Sequence, residues 1–280
     1  MSTCNRNENY FELDGIMTMK LETIIYEIQG NVATITLNRP DAKNAINLQM
    51  AKDLLSVALT CNADPNVRAL IICGSGNTFC VGGDVKEFHA NIDVLSNHLK
   101  EITTYLHAAI SILSRINVPL VVGINGFVAG AGIGLACLGD IIVATESSRF
   151  TVAYTGIGLT PDAGTTYLLP RAIGLKKASE LILTNRQLSA SDALAIGLVT
   201  NVVPDGEIIP HINSVATQLA TCATRALAMS KNLLQRGWTE TLETHMQNES
   251  DVISQLGHTD DAKEGILAFA EKRRPRFLGR

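Results

Sequence analysis

Within AYTGIGLTPDAGTTYLLPR, residues 153–171, Asp162 is the one acid among apolar, hydroxyl and glycine neighbours. A carboxylate in such surroundings has two uses. It can take a proton from carbon and return it elsewhere, as a general acid/base. It can also accept backbone N–H groups as a helix N-cap, and Pro-Asp-Ala-Gly before a hydroxyl-rich helix start is the commoner pattern for a cap. One side chain cannot fill both roles at once, and local sequence favours the cap.

Two glycine-rich stretches, GSGNTFCVGGDVKEF (74–88) and NGFVAGAGIGLACLGD (125–140), each follow an apolar run that reads as a strand. Glycines between a strand and a helix leave backbone N–H groups free to face an anion or a developing oxyanion. Two such donors converging on one oxygen would form an oxyanion hole, which depends on backbone geometry rather than side-chain identity. A dinucleotide site is the alternative. Gly130 and Gly132 fit its fingerprint and Glu146 ends the next strand, but Leu135 stands where the third glycine belongs. No GK[ST] is present, so a P-loop is excluded. Cys80, beside the first turn, reads as a small packed side chain. The histidines at 89, 98, 107, 211, 245 and 258 show no metal-ligand spacing and no evident partner, and no metal is expected.

The elements that must position these groups alternate along the chain. ETIIYEIQ and VATITLN flank Gly30-Asn31, a hairpin signal. NLQMAKDLLSVALTCN has helical spacing, RALIICG and PLVVGIN read as buried strands, and a helix is predicted over about 91–115. A short helix near 131–138, the strand DIIVAT, a helix opening at Ser189 with Asp192 as its capping-box partner and closed by Gly197, and a last strand in LVTNVVP follow. Short buried strands alternating with helices predict an α/β fold with mostly parallel sheet. Residues 1–19 read as a loose leader, 20–205 as the core, and 206–280 as a helical region that packs on the core or on a neighbouring subunit.

With 46% hydrophobic residues and a net charge of −4, the chain has the makings of a real core and no basic footprint for nucleic acid. No apolar run approaches a bilayer span, the polar leader does not resemble a secretory signal, and six scattered cysteines without CxxC spacing predict neither disulfides nor zinc. A cytoplasmic location is expected, without membrane partners.

LNRPDAKNA, FCVGGDVKEF, INGFVAGAGIGLACLGDIIVAT, IGLTPDAGTTYLLPR and DAKEGILAFAEKRRPRF occur in the order and spacing that resemble the enoyl-CoA hydratase/isomerase family, the crotonase superfamily. The resemblance runs from about residue 20 to the end. It implies a spiral of ββα units, C-terminal helices that assemble a trimer or dimer of trimers, and an acyl-CoA substrate, with coenzyme A part of that substrate and no separate cofactor. It implies oxyanion donors at the N–H groups of Gly83 and Ala131. Ala42, Lys43 and Ala45 would lie along coenzyme A, and Val81, Gly83, Asp84 and Val85 around its adenine and thioester. Phe127 and Ile157 would also bind the substrate, Tyr154 would line the acyl pocket or donate to a substrate oxygen, and Phe269 and Lys272 would reach the nucleotide end.

The hydratases that the chain resembles carry two glutamates, aligned here with Gly134 and Tyr154, so both carboxylates are absent. Asp162 falls where some isomerases of the family keep their only catalytic acid, which turns the balance from cap to acid/base. The segment is especially like those of Δ3,Δ2-enoyl-CoA isomerases and ring-1,2-epoxyphenylacetyl-CoA isomerases. The implied activity is a double-bond shift through an enolate. An epoxide isomerase, a hydratase and a non-catalytic acyl-CoA-binding or RNA-binding relative remain as alternatives.

Overall fold

The computed structural model describes residues 10–13 and 15–279. Its strands are β1 (Tyr10–Leu13), β2 (Ile16–Lys20), β3 (Ile24–Gln29), β4 (Val32–Leu37), β5 (Ala69–Gly74), β6 (Thr78–Cys80), β7 (Leu120–Ile124), β8 (Phe127–Ala129), β9 (Ile141–Thr145), β10 (Arg149–Thr151), β11 (Leu188–Ser189) and β12 (Asn201–Val203). The helices are α1 (Leu48–Ala63), α2 (Val85–Ala90), α3 (Leu95–Ser114), α4 (Ala131–Ala136), α5 (Thr165–Ile173), α6 (Leu175–Thr184), α7 (Ala190–Ala195), α8 (Ile208–Ala220), α9 (Thr224–Arg236), α10 (Leu242–Leu256) and α11 (Asp260–Ala270).

One sheet runs β1-β2-β3-β4-β5-β7-β9-β12 and a smaller one β11-β10-β8-β6. The pairs β5/β6, β7/β8 and β9/β10 each give one strand to each sheet, so the chain winds as the expected spiral of ββα units. From β4 to β12 the large sheet is parallel, and from β1 to β4 it is antiparallel. The hairpin forms where expected, with Gln29 opposite Val32 and Gly30 in the left-handed region.

Parallel strands covered on both faces need apolar residues at every position, and β5 shows why. Leu70 and Ile72 face the main core under α1 and α3, while Ala69, Ile71 and Cys73 face a second core closed by Ile208, Ile212, Ala216 and Ala220 of α8. Helix α8 therefore packs on the core layer. The capping box at Ser189 and Asp192 is present at the start of α7.

The leader differs from its expectation. Residues 1–9 and 14 lie outside the described residues, but β1 and β2 extend the sheet into the remainder, with Thr18 and Met19 buried. A Thr-Met pair with alternating apolar neighbours can join an existing antiparallel edge, a placement that local composition does not announce. Among the described residues no helix is long and apolar enough to cross a membrane. The cysteines at 61, 73, 80, 137 and 222 are free, and Cys4 is outside the described residues.

Candidate active site

The LNRPDAKNAIN segment is a brace for the first glycine turn. Lys43 and Asn44 are both left-handed at φ 54°. That bend sends the buried Asn44 amide to the carbonyls of Ser75 and Thr78, at 3.0 and 2.7 Å. Lys43 accepts the Val81 N–H, Arg39 pairs with Asp84 at 2.9 Å, and Ile46 forms a parallel bridge to Gly83. In that bridge Ile46 N–H donates to Gly82 O at 2.7 Å and Asp84 N–H donates to Ile46 O at 2.9 Å. Both bonds lie on the Ile46 side, which leaves the Gly83 N–H directed away from it.

The second turn supplies the other donor. Gly130, at φ 52°, leads into α4, whose first residue Ala131 has no helical partner for its N–H. The two turns touch: a Cβ at Gly82 would lie 3.1 Å from Ala131 N, and one at Gly132 only 2.4 Å from Cys80 O. Glycine is required at these contacts because backbone meets backbone. Gly83 and Ala131 both line a cavity of about 300 Å³.

The lining also includes Val81, Val85 and Phe88, then Leu99, Ile102, Thr103 and Leu106 of α3, and Tyr154, Ile157 and Asp162. Asp162 is the only carboxylate in that lining. It does not cap a helix: Gly164 occupies the N-cap of α5 and no side chain caps that helix. Instead, the Tyr154 phenol donates a short hydrogen bond to Asp162 Oδ1. Burial, together with the nearby Asp162 charge, pushes the Tyr154 phenol far above its ordinary pKa. The phenol therefore remains a donor to the carboxylate.

Ala153 and Ala163, next to these two residues, are both left-handed, at φ 60° and 52°. Gly134 packs beneath the same turn: a Cβ there would lie 2.2 Å from Ala163 O. No side chain fits at position 134 while the Asp162 turn keeps its place.

Other expected site residues fall elsewhere. Ala42, Lys43 and Ala45 lie on the brace, outside the cavity lining. The Asp84 side chain is engaged as N-cap of α2, accepting from Lys86 and Glu87, and in its pair with Arg39. Phe127 starts β8 opposite Thr78 and Arg149. Phe269, 88% exposed, and Lys272 stand at the end of α11. Burial raises the Cys80 thiol to about 12, so it is packing, not a nucleophile.

Three of the histidines do have partners, contrary to the sequence. His98 meets Glu87 at 3.5 Å, His245 meets Glu240 at 3.0 Å, and His107 Nε2 accepts the Ala163 N–H at 3.1 Å. Arg39, Asn44 and His107 are the residues that sequence reasoning missed. The quoted brace motif contained the first two, and nothing local signals the third.

The comparisons with known proteins agree with this geometry. The family described as Enoyl-CoA hydratase/isomerase matches residues 27–280. The 1,2-epoxyphenylacetyl-CoA isomerase of Escherichia coli K12 is 33% identical over 93% of this chain and 100% of its own length. The trans-2-decenoyl-(acyl-carrier-protein) isomerase of Streptococcus mutans is also 33% identical, over 94% and 100%. A crystal structure of enoyl-CoA hydratase from Bacillus anthracis superposes with a TM-score of 0.87 at 30% identity, covering 92% of this chain and 100% of that one. These names span isomerases and hydratases, and identity near one third does not choose between them. The family is clear: the chain is an enzyme of the enoyl-CoA hydratase/isomerase family, within the crotonase superfamily.

Proposed function

We propose that the enzyme shifts the double bond of an enoyl-CoA from Δ3 to Δ2. The observation that carries this is Asp162, the lone carboxylate of the cavity, freed from capping and held by Tyr154. The thioester oxygen sits between the Gly83 and Ala131 N–H groups. Asp162 takes a proton from the carbon next to the thioester, and the released pair forms an enolate whose charge rests on that oxygen. The pair then returns through the chain as the Δ3 π bond takes the same proton at the far carbon. Atoms and electrons balance with one acid/base, and no separate cofactor is required. An oxyanion donor contributes roughly 3–4 kcal/mol and a positioned base roughly 10²–10⁴ in rate.

Hydration would need a second group to activate water, and Tyr154, whose proton is committed to Asp162, does not supply one. A second reading, isomerisation of a ring-1,2-epoxyphenylacetyl-CoA by the same aspartate, is favoured by the name of the Escherichia coli relative. Mixing the protein with 3-hexenoyl-CoA and following conjugated enoyl-thioester absorbance tests the first reading. Absorbance should rise with wild type and not with Asp162→Asn. No change with wild type refutes it, and turnover of the aromatic epoxide then selects the second.

The C-terminal helices support an assembly. α10 has no buried residue, and Leu242, Ile253 and Ile266 are about 70% exposed (68%, 72% and 72%). Exposed apolar side chains of this size favour an interface, and the proposed trimer or dimer of trimers through α9–α11 would cover them. Light scattering at micromolar concentration checks it; a monomer overturns it.

A further inference from the structure

We infer that His107 is a positioning residue for Asp162. This rests on the isomerase reading for its catalytic consequence but on geometry for its origin. The Ala163 N–H, one residue past the acid, belongs to a fully buried residue in a left-handed turn. A buried N–H left without an acceptor is costly, and a left-handed alanine persists only where its surroundings hold it. His107 Nε2 is the acceptor that the structure provides, at 3.1 Å. With an N–H pointing at Nε2, that nitrogen must offer its lone pair, so the ring carries its proton on Nδ1.

His107 comes from α3, the same helix that sends Leu99, Ile102, Thr103 and Leu106 into the cavity. One ring therefore ties the acyl-facing wall to the turn that bears the acid. The Asp162 turn is held from two directions, by Tyr154 at the Asp162 carboxylate and by His107 at the Ala163 N–H. The tie fixes the distance between the substrate-facing wall and the proton-transferring oxygen, where small misplacements are amplified in rate.

Three variants test it. His107→Leu fills the space without an acceptor. His107→Gln places an amide oxygen close to the Nε2 position. His107→Asn, polar but too short to reach, replaces the leucine variant should that one not fold. Two readouts are measured: kcat and KM for 3-hexenoyl-CoA, and hydrogen exchange of the peptide containing Ala163. The leucine or asparagine variant should lose roughly ten- to a hundredfold in kcat with KM within about twofold, and its Ala163 amide should exchange faster. The glutamine variant should restore both.

Unchanged Ala163 exchange in His107→Leu or His107→Asn overturns the tie. So does a glutamine variant no better than leucine, or a loss confined to KM. If wild type turns over no acyl-CoA, the isomerase reading fails by itself, and the exchange data still decide whether His107 holds the turn.

Discussion

The Tyr154 phenol and the Asp162 carboxylate, eight residues apart in sequence, share a short hydrogen bond at the wall of the cavity. The bond spans a turn whose ends are set by two left-handed alanines. Removing the phenol frees one carboxylate oxygen to rotate without removing the base. Tyr154→Phe is therefore expected to lower kcat by roughly tenfold, well short of the loss in Asp162→Asn, since one hydrogen bond to a charged group is involved. Steady-state kinetics of the two variants side by side check the ranking. Equal losses would mean that the phenol itself moves the proton.

Gly134→Glu should not create a hydratase. Its Cβ alone would meet Ala163 O at 2.2 Å, so the Asp162 turn must move. The expected outcome is loss of isomerase activity, no water addition to crotonyl-CoA, and a destabilisation of about 2–3 kcal/mol from overpacking. Denaturant unfolding and a crotonyl-CoA assay read the two effects separately.

Lys231 ties α9 to the core through Asp140, at 2.8 Å, with the lysine side chain 8% exposed and the aspartate 32%. Asp140 also accepts the Leu120 N–H at 2.8 Å. Lys231→Ala leaves that carboxylate partly buried and short of a partner. A loss of about 1–3 kcal/mol is expected, below the range for fully buried pairs because water reaches Asp140. Urea titration measures it, with kcat unchanged once the protein is folded.

Glu264 accepts from the two terminal guanidinium nitrogens of Arg273, at 2.6 and 2.9 Å, and from the Arg276 N–H. The Arg273 bonds foremost, then the backbone donor, hold its pKa down to about 2 against an ordinary 4.5. The folded form thus prefers the carboxylate, so this stabilisation is complete above about 4.5 and fades as pH falls towards 2. Thermal melts of wild type and Glu264→Gln should differ most above that window and converge below it. A constant difference down to pH 2 would refute the linkage.

What the sequence disclosed was local. Gly30-Asn31 names its own turn, Ser189 and Asp192 their own cap, and β5 its double burial by an unbroken apolar run. Asp84, which the family resemblance set beside coenzyme A, has its side chain engaged by the α2 N-terminus and Arg39, a pairing that no local pattern announces. The capping pattern around Asp162 misled in the opposite direction, because Tyr154 competes for the carboxylate. His107 and Ala163 lie 56 residues apart, and only the winding of the spiral brings them together. For α8, helical periodicity says which residues face inwards and not which sheet they meet.

The close approach of Gly134 to Ala163 also bears on how such enzymes diversify. A side chain at 134 and the present course of the 162–164 turn exclude each other. Any change at 134 therefore needs a compensating change almost thirty residues away. Libraries that vary one site at a time will meet only the clash, whereas libraries that vary 134 together with 162–164 can relieve it.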